Sequence, residues 1–527
     1  MTSLSRRDVL GALAALGLAP ALPLSARAEE ATILGKGRPF SFDGLIAEAK
    51  ARADKPFAPK PVVAAEVLER IDYEEHWQIK FKADHTVQIG GGKAPIRFFH
   101  LGKFFKEPVG IYVVDGDQAA PVLYSPDFFD VPAGNPAEGL PADIGFAGFR
   151  VMEPGVERDW LAFLGAAYFR SSGAMDQYGL SARAIAIDTA LPTPEEFPRF
   201  TDFFFAPSEK GTLVIYAALE GPSVSGAVRW DCARGTEPGD KGVVMDMACR
   251  FFARKDIQRL GVGALTSMFW YNETNRLAAP DWRPEIHDSD GLAIATGAGE
   301  RLWRPLNNPP RVMTSTFVDR DPKGFGLMQR DRSFENYQDD GVFYEKRSSV
   351  WVEPKNGWGE GAVQLVEIPT VDEIHDNIVA YWVPAKPVKK GDLVAVDYRL
   401  TWLADEPNPP AIGRVISTRL GIGGVPGQPR PKDTVKYVVD FEGGKLGDYG
   451  QGQGVEAVVS AASGTISGTY VLPVVGTKRW RAVFDFKPTG NEPVDMRLFL
   501  KVENEALTET WLFQHHPGTF VPPAHSG

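Results

Sequence analysis

Short apolar runs broken by turn residues recur along most of this chain, and their dominant period is two. Gly110-Ile-Tyr-Val-Val114, the turn Asp115-Gly-Asp117 and Ala120-Pro-Val-Leu-Tyr124 read as strand, turn, strand. Thr212-Leu-Val-Ile-Tyr216 leads through Glu220-Gly-Pro222 into Gly226-Ala-Val-Arg-Trp230 in the same way, so antiparallel sheets are expected. Helical spacing is rare and early. Ser41 can cap a stretch that carries Leu45, Ile46 and Ala49 on one face, Val62 to Ile71 has a similar stripe, and Glu157 to Ala167 with Trp160, Phe163 and Leu164 is a third candidate. Each is expected to pack on a sheet.

Composition agrees with that pattern: 54 glycines, 42 prolines and 32 phenylalanines among 527 residues suit many strands and turns. So long a chain exceeds what one compact core holds. The clearest break is Ala404-Asp-Glu-Pro-Asn-Pro-Pro-Ala-Ile412, which can continue neither a helix nor a central strand. Beyond it, Val435 to Phe441, Val455 to Val459, Thr469 to Val474, Trp480 to Phe486, Met496 to Val502 and Thr508 to Phe513 are spaced as in a small β-sandwich. The expected division is a signal over 1–28, a large β domain over 29–403, a Pro-rich linker over 404–412 and a small β domain over 413–527.

The first residues read as an address. Arg6 and Arg7 precede the apolar run Val9 to Leu24, and Ala26-Arg27-Ala28 supplies a small-x-small cleavage pattern. Paired arginines point to the twin-arginine export machinery, with an ordinary secretory signal as the alternative. Gly11, Gly17, Pro20 and Pro23 break the run below membrane-spanning length. Cleavage after Ala28 removes three arginines and one aspartate, taking the net charge from −11 to −13. An acidic exported protein is a poor partner for nucleic acid or an anionic membrane, whereas a neutral polymer is indifferent to the charge. The two cysteines, Cys232 and Cys249, flank the turn Gly235 to Gly242; they form a bridge or stay as buried thiols.

Candidate chemistry gathers in two acid-rich turns, Arg283-Pro-Glu-Ile-His-Asp-Ser-Asp-Gly-Leu292 and Glu367-Ile-Pro-Thr-Val-Asp-Glu-Ile-His-Asp-Asn-Ile-Val-Ala-Tyr-Trp382. Gly291 to Thr296, the turn Gly297-Ala-Gly299 and Arg301 to Pro305 form an expected hairpin, with Asp288 and Asp290 where the first strand begins. Asp376 precedes the alternating strand Asn377 to Trp382, and Asp372 lies four residues before it. Glycosidic cleavage needs one carboxyl group to protonate the departing oxygen and another to activate water. Competing readings are acids that cap turns or face solvent, with His287 and His375 as ordinary turn residues. A metal at His287-Asp-Ser-Asp290 is a third, but no further His or Cys completes a shell. No metal and no cofactor is expected. Trp270, Trp303, Trp351, Trp358, Trp382, Tyr337 and Tyr344 share the same stretch, and flat rings stack on pyranose faces. Most must be core; Tyr344, Trp303, Trp351 and Trp358 are the candidates for a sugar groove, with Arg304, Asn307 and Asn308 as hydrogen-bond donors.

These blocks, with Leu302-Trp-Arg-Pro-Leu-Asn-Asn-Pro309, Gly324-Phe-Gly-Leu-Met-Gln-Arg330 and Glu509-Thr-Trp511, resemble the periplasmic glucan biosynthesis proteins G and D over essentially the whole mature chain. The paired-arginine signal is more like that of the D member. The resemblance implies an all-β fold: a large N-terminal mutarotase-like β-supersandwich joined to a small C-terminal immunoglobulin-like β-sandwich. It implies a periplasmic protein of osmoregulated periplasmic glucan synthesis that acts on β-1,2-linked glucan as an inverting endo-glucanase, in contact with a membrane glucan synthase. By matching motifs, Asp376 becomes the general acid and Asp288 the general base, with Tyr344 near the reacting sugar. Ile374, lying between Glu373 and Asp376, puts an apolar side chain where the proton would travel. A glucan-binding protein that organises export, branching or modification without cutting is the alternative from another class. Lyase or epimerase chemistry would need uronic acid substrates, of which the sequence has no sign.

Overall fold

The computed structural model describes residues 33–235, 242–276 and 279–520. The signal expected over 1–28 lies outside them. The chain is all-β apart from a few short helices, and it divides into two compact units. One comprises 1–266, 352–362 and 381–403; the other comprises 267–351, 363–380 and 404–527.

In the first unit, the expected hairpins are present. Gly110–Asp115 pairs with Gln118–Pro121, and Leu213–Glu220 pairs with Val224–Arg234, both antiparallel. Val243–Ala253 and Leu393–Leu403 extend that sheet, whereas Arg199–Pro207 joins it to Gly110–Asp115 by a parallel pairing. A second sheet runs through Ala94–Phe99, Gly148–Met152, Asp159–Leu164 and Tyr168–Ser171. Inward rings from the two sheets meet: Phe163 and Trp230 have centroids 5.2 Å apart, and Phe149 and Phe203 4.9 Å. Such aromatic pairs add about 1 kcal/mol each beyond the area they bury.

Two of the three expected helices form. Ser41 Oγ accepts the Gly44 N–H at 3.0 Å and starts the helix Phe42–Ala53, whose Leu45 and Ala49 pack on Phe204, Ala218 and Ala227 of the sheet. The stripe at Val62 to Ile71 becomes the short helix Ala65–Arg70. The third is corrected: Asp159–Leu164 is a strand between Gly148–Met152 and Tyr168–Ser171. Trp160, Leu161, Ala162 and Phe163 are all buried, and a strand covered on both faces shows a continuous apolar run that periodicity cannot tell from a helix.

Cys232 and Cys249 are free, buried thiols on the paired strands Val224–Arg234 and Val243–Ala253. Register sets Cys232 opposite Met245 and Cys249 opposite Val228, an offset of four ladder positions or about 13 Å, far beyond disulfide reach.

In the second unit, Gly291–Ala295 lies between Arg301–Pro305 and Gly324–Met328, antiparallel to both. Arg301–Pro305 then pairs in parallel with Thr510–His515, which pairs with Val494–Val502. A separate sheet orders Arg414–Ile422, Val435–Glu442, Trp480–Lys487 and Thr465–Pro473. Tyr437 of this sheet packs its ring 6.0 Å from Trp511 and 5.6 Å from Phe513, closing a small aromatic core.

Candidate active site

Both acid-rich turns belong to the second unit. Ile286–His287 pairs with Phe269–Tyr271, and the Asp288 N–H extends the pairing by donating to the Met268 carbonyl at 2.8 Å. Two residues on, the Asp290 N–H donates to Met328 O at 2.8 Å, and the chain enters the other sheet at Gly291. A Cβ at Gly291 would lie 2.5 Å from the Trp303 ring, so the transfer requires glycine. Asp288 therefore sits at the step between two sheets, and its residue is fully buried. The Arg347 guanidinium, equally buried, lies 3.4 Å from its carboxylate and 5.2 Å above the Tyr344 ring.

Asp376 arrives from another direction and is exposed. The Ile368 N–H donates to Asn377 O at 2.9 Å, closing the loop 369–376 at its base. The buried Asn377 side chain accepts from Phe269 N at 2.8 Å and donates to Phe269 O at 2.9 Å and Ile368 O at 2.8 Å. Consecutive residues Met268 and Phe269 thus hold Asp288 on one side and the neighbour of Asp376 on the other. A second link runs through side chains. Tyr344 donates its phenol to Glu373 Oε2 at 2.5 Å, and Arg283 Nη1 donates to the same oxygen at 2.9 Å and to Asp339 at 2.7 Å. Neither Glu373, Arg283, Arg347 nor Asn377 was singled out by the sequence for these roles. Glu373 and Asn377 stand inside the expected turn, but nothing local marks which of its polar groups faces inward.

A sequence model described as "Periplasmic glucan biosynthesis protein, MdoG" matches residues 40–515. The chain belongs to that family. Glucans biosynthesis protein D 2 of Ralstonia nicotianae is 50% identical over 530 residues, covering 98% of this chain and 97% of its own. Glucans biosynthesis protein D of Xanthomonas campestris pv. campestris is 45% identical with 98% of each chain covered, and that of Stenotrophomonas maltophilia 44% with 99% and 98%. Among solved structures, a polysaccharide lyase aligns with 70% of this chain and 44% of its own at 10% identity and a TM-score of 0.21, too slight a likeness to carry an argument. Family membership gives the protein its compartment, the periplasm, and a role in glucan biosynthesis.

Around Asp288, this glucan biosynthesis protein carries a buried polar network. Gln329 donates its amide N–H groups to His287 O at 3.1 Å and Tyr344 O at 3.0 Å, which turns its Oε1 toward His287 Nδ1 at 3.0 Å. His287 Nε2 faces Glu285 Oε2 at 3.1 Å and Asp290 at 3.5 Å. With acceptors on both nitrogens the ring is an imidazolium. Burial alone would lower its pKa, yet Asp290 and Glu285 outweigh this and push it up to about 9. Both ring nitrogens of His287 are thus engaged by side chains of the protein itself. Asp290 accepts the backbone N–H groups of Arg330 and, at 2.7 Å, Asp331; burial raises its pKa. Beside it, Glu273, Glu285 and Trp303 line a cavity of about 190 Å³, and burial, with Glu285 and Asp290 adding, pushes the Glu273 carboxyl up to about 8.

The other residues singled out by sequence are placed as follows. Trp303 is buried beneath the Arg330 guanidinium, 3.7 Å from the ring centroid, and Trp351 is buried 5.6 Å from that of Arg301. Arg304, also buried, donates to Glu367 at 3.0 Å and to its neighbour's carbonyl, Pro305 O. Asn307 donates its side-chain N–H to Gln514 O at 3.1 Å and Asn308 to Trp270 O at 3.1 Å and Thr370 O at 2.8 Å. Trp358 belongs to the first unit, packed against Trp382 and Tyr398. Asp372 accepts from Ile374 N within its own turn, and His375 is exposed. An exposed indole, not among the aromatic candidates of the sequence, directly precedes the first acid-rich turn. Trp282, 68% exposed, directly precedes Arg283, the partner of Glu373.

Proposed function

We propose that this family member cuts the β-1,2-glucan backbone as an inverting endo-glucanase, with Asp376 as general acid and Asp288 as general base. The observation that supports this reading is that Asp288 and Asn377 bind consecutive residues, Met268 and Phe269, so the segments that carry the two aspartates, 88 positions apart in sequence, are pinned to one short strand. An exposed Asp376 can meet the oxygen of an incoming glycosidic bond. Asp288, without solvent-exposed surface, must receive its proton through a relay of water or substrate hydroxyls rather than from an adjacent attacking water. Arg347 keeps that carboxylate's surroundings electrically balanced, and Tyr344 holds the turn that presents Asp376.

The same burial of Asp288 favours a second reading, in which the site grips nascent glucan and organises its export, branching or modification with no bond cleaved. Incubation of the purified protein with linear β-1,2-glucan separates the two: the first reading gives shorter chains over time, and the second gives bound but intact polymer. Delivery by the twin-arginine machinery, a mature chain starting after residue 28, contact with a membrane glucan synthase and a linker at 404–412 before a small immunoglobulin-like domain complete the proposal.

A further inference from the structure

A cavity of about 300 Å³ opens in the first unit, between the short helix Tyr73–Gln78 and the sheet strands Ala94–Phe99 and Gly148–Met152. Tyr73, Trp77, Phe81, Phe99, Phe104 and Phe129 contribute aromatic rings to its wall. Its volume holds on the order of ten water-sized groups. Such a chamber alone would suit any apolar body, but its charges narrow the choice.

Four cationic side chains line this cavity: Lys103, which pairs with Glu69 at 3.2 Å, Arg170, which acts electrostatically on Asp159, and Lys80 and Arg150. The Lys80 ammonium lies 3.8 Å from the Trp77 ring centroid, and the Arg150 guanidinium 5.7 Å from that of Phe99. Among the described residues neither has a carboxylate within ion-pair distance. The Arg150 Nε is buried without a hydrogen-bond partner, a deficit that ordinarily costs about 1–3 kcal/mol. Asp159 acts on Arg150 electrostatically, but its own hydrogen bond comes from Tyr178 at 3.1 Å. Burial lowers the Lys80 pKa and the nearby Arg150 charge lowers it further, so two like charges repel across an aromatic chamber. His76 and His100 add no positive charge: each donates a ring N–H to a backbone carbonyl, at 2.8 and 2.7 Å, and burial holds both pKa values down. An anion brought in on an apolar stem would relieve the repulsion, offer the guanidinium a charge partner and fill the chamber.

We propose that this cavity binds a small amphiphilic anion, a carboxylate or phosphate carried on an apolar body of about ten non-hydrogen atoms, with Lys80 and Arg150 as its charge partners. The site stands apart from the reading of Asp288 and Asp376 and needs neither.

Titration calorimetry of the full-length mature protein with decanoate tests it. One saturable site per chain is expected, and Lys80→Met and Arg150→Met should each weaken it at least about tenfold, or ~1.4 kcal/mol. Decanamide, with the same stem and no charge, should bind weaker by a similar factor. Lys80 is part-exposed, so Lys80→Met keeps the test intact if Arg150→Met does not fold. No saturable site, equal affinity for decanamide, or an unchanged affinity in Lys80→Met would overturn the proposal. So would capture by phosphatidylglycerol vesicles without binding of free decanoate, which would make the face a membrane-docking surface instead.

Discussion

Replacing Asn377 by leucine is the sharpest probe of how the two acidic turns are held together. The native side chain makes three hydrogen bonds in a buried setting, to Phe269 N, Phe269 O and Ile368 O, at 2.8–2.9 Å. Leucine keeps the branched four-atom skeleton, somewhat bulkier, but has neither donor nor acceptor, so three backbone groups lose a partner in the dry interior. At about 1 kcal/mol for each bond the cost is roughly 3 kcal/mol, a large share of ordinary domain stability. Urea unfolding followed by tryptophan fluorescence should show a lower midpoint with an unchanged slope. The function should suffer more than the fold, because Asn377 is the covalent neighbour of Asp376 and a misplacement of about 1 Å costs on the order of 10²-fold in rate. A variant as stable as the parent would refute the hydrogen-bond account. A destabilised variant with undiminished glucan cleavage would refute the link between this pin and the position of Asp376.

Other outcomes follow from the same geometry. Trp282→Ala removes an exposed ring and should leave the unfolding midpoint within about 0.5 kcal/mol of the parent while weakening β-1,2-glucan binding by about 1 kcal/mol, read by affinity electrophoresis in glucan gels. Stability should fall as pH rises: the folded state holds an extra proton on Glu273 between about 4.5 and 8 and on His287 between about 6.5 and 9, so deprotonation of each favours unfolding. His287→Gln should flatten the upper part of that decline in urea titrations at pH 6 to 9; a parent curve already flat there would refute the imidazolium. Burial pushes both thiols up, Cys249 to about 12, so Ellman's reagent should find neither cysteine in the native protein and both after denaturation. Labelling of the native protein would contradict the packing of those strands.

Hairpins were legible because their turns carry glycine, proline and aspartate between alternating runs: Gly110–Asp115 with Gln118–Pro121 and Gly291–Ala295 with Arg301–Pro305 sit where the pattern put them. Asp159–Leu164 was misread because burial on both faces erases the period that distinguishes a strand. The acids were legible as turn residues before strands, and their wording tied the chain to its family. Their supports were not, since Arg347 reaches Asp288 from 59 residues away and Arg283 reaches Glu373 from 90. Aromatic content raised the expectation of a sugar groove without telling which rings are accessible: Trp303 and Trp351 are buried under arginines, while Trp282 is 68% exposed.

The most direct test follows the anomeric protons of linear β-1,2-glucan by NMR as the protein acts, for the parent and for Asp288→Asn and Asp376→Asn, each confirmed folded by its unfolding midpoint. Fresh reducing ends that appear first in the α configuration, inverted from the β linkage, with both variants silent, are the predicted result. Intact polymer with the parent, β reducing ends, or undiminished cleavage by either variant would contradict it.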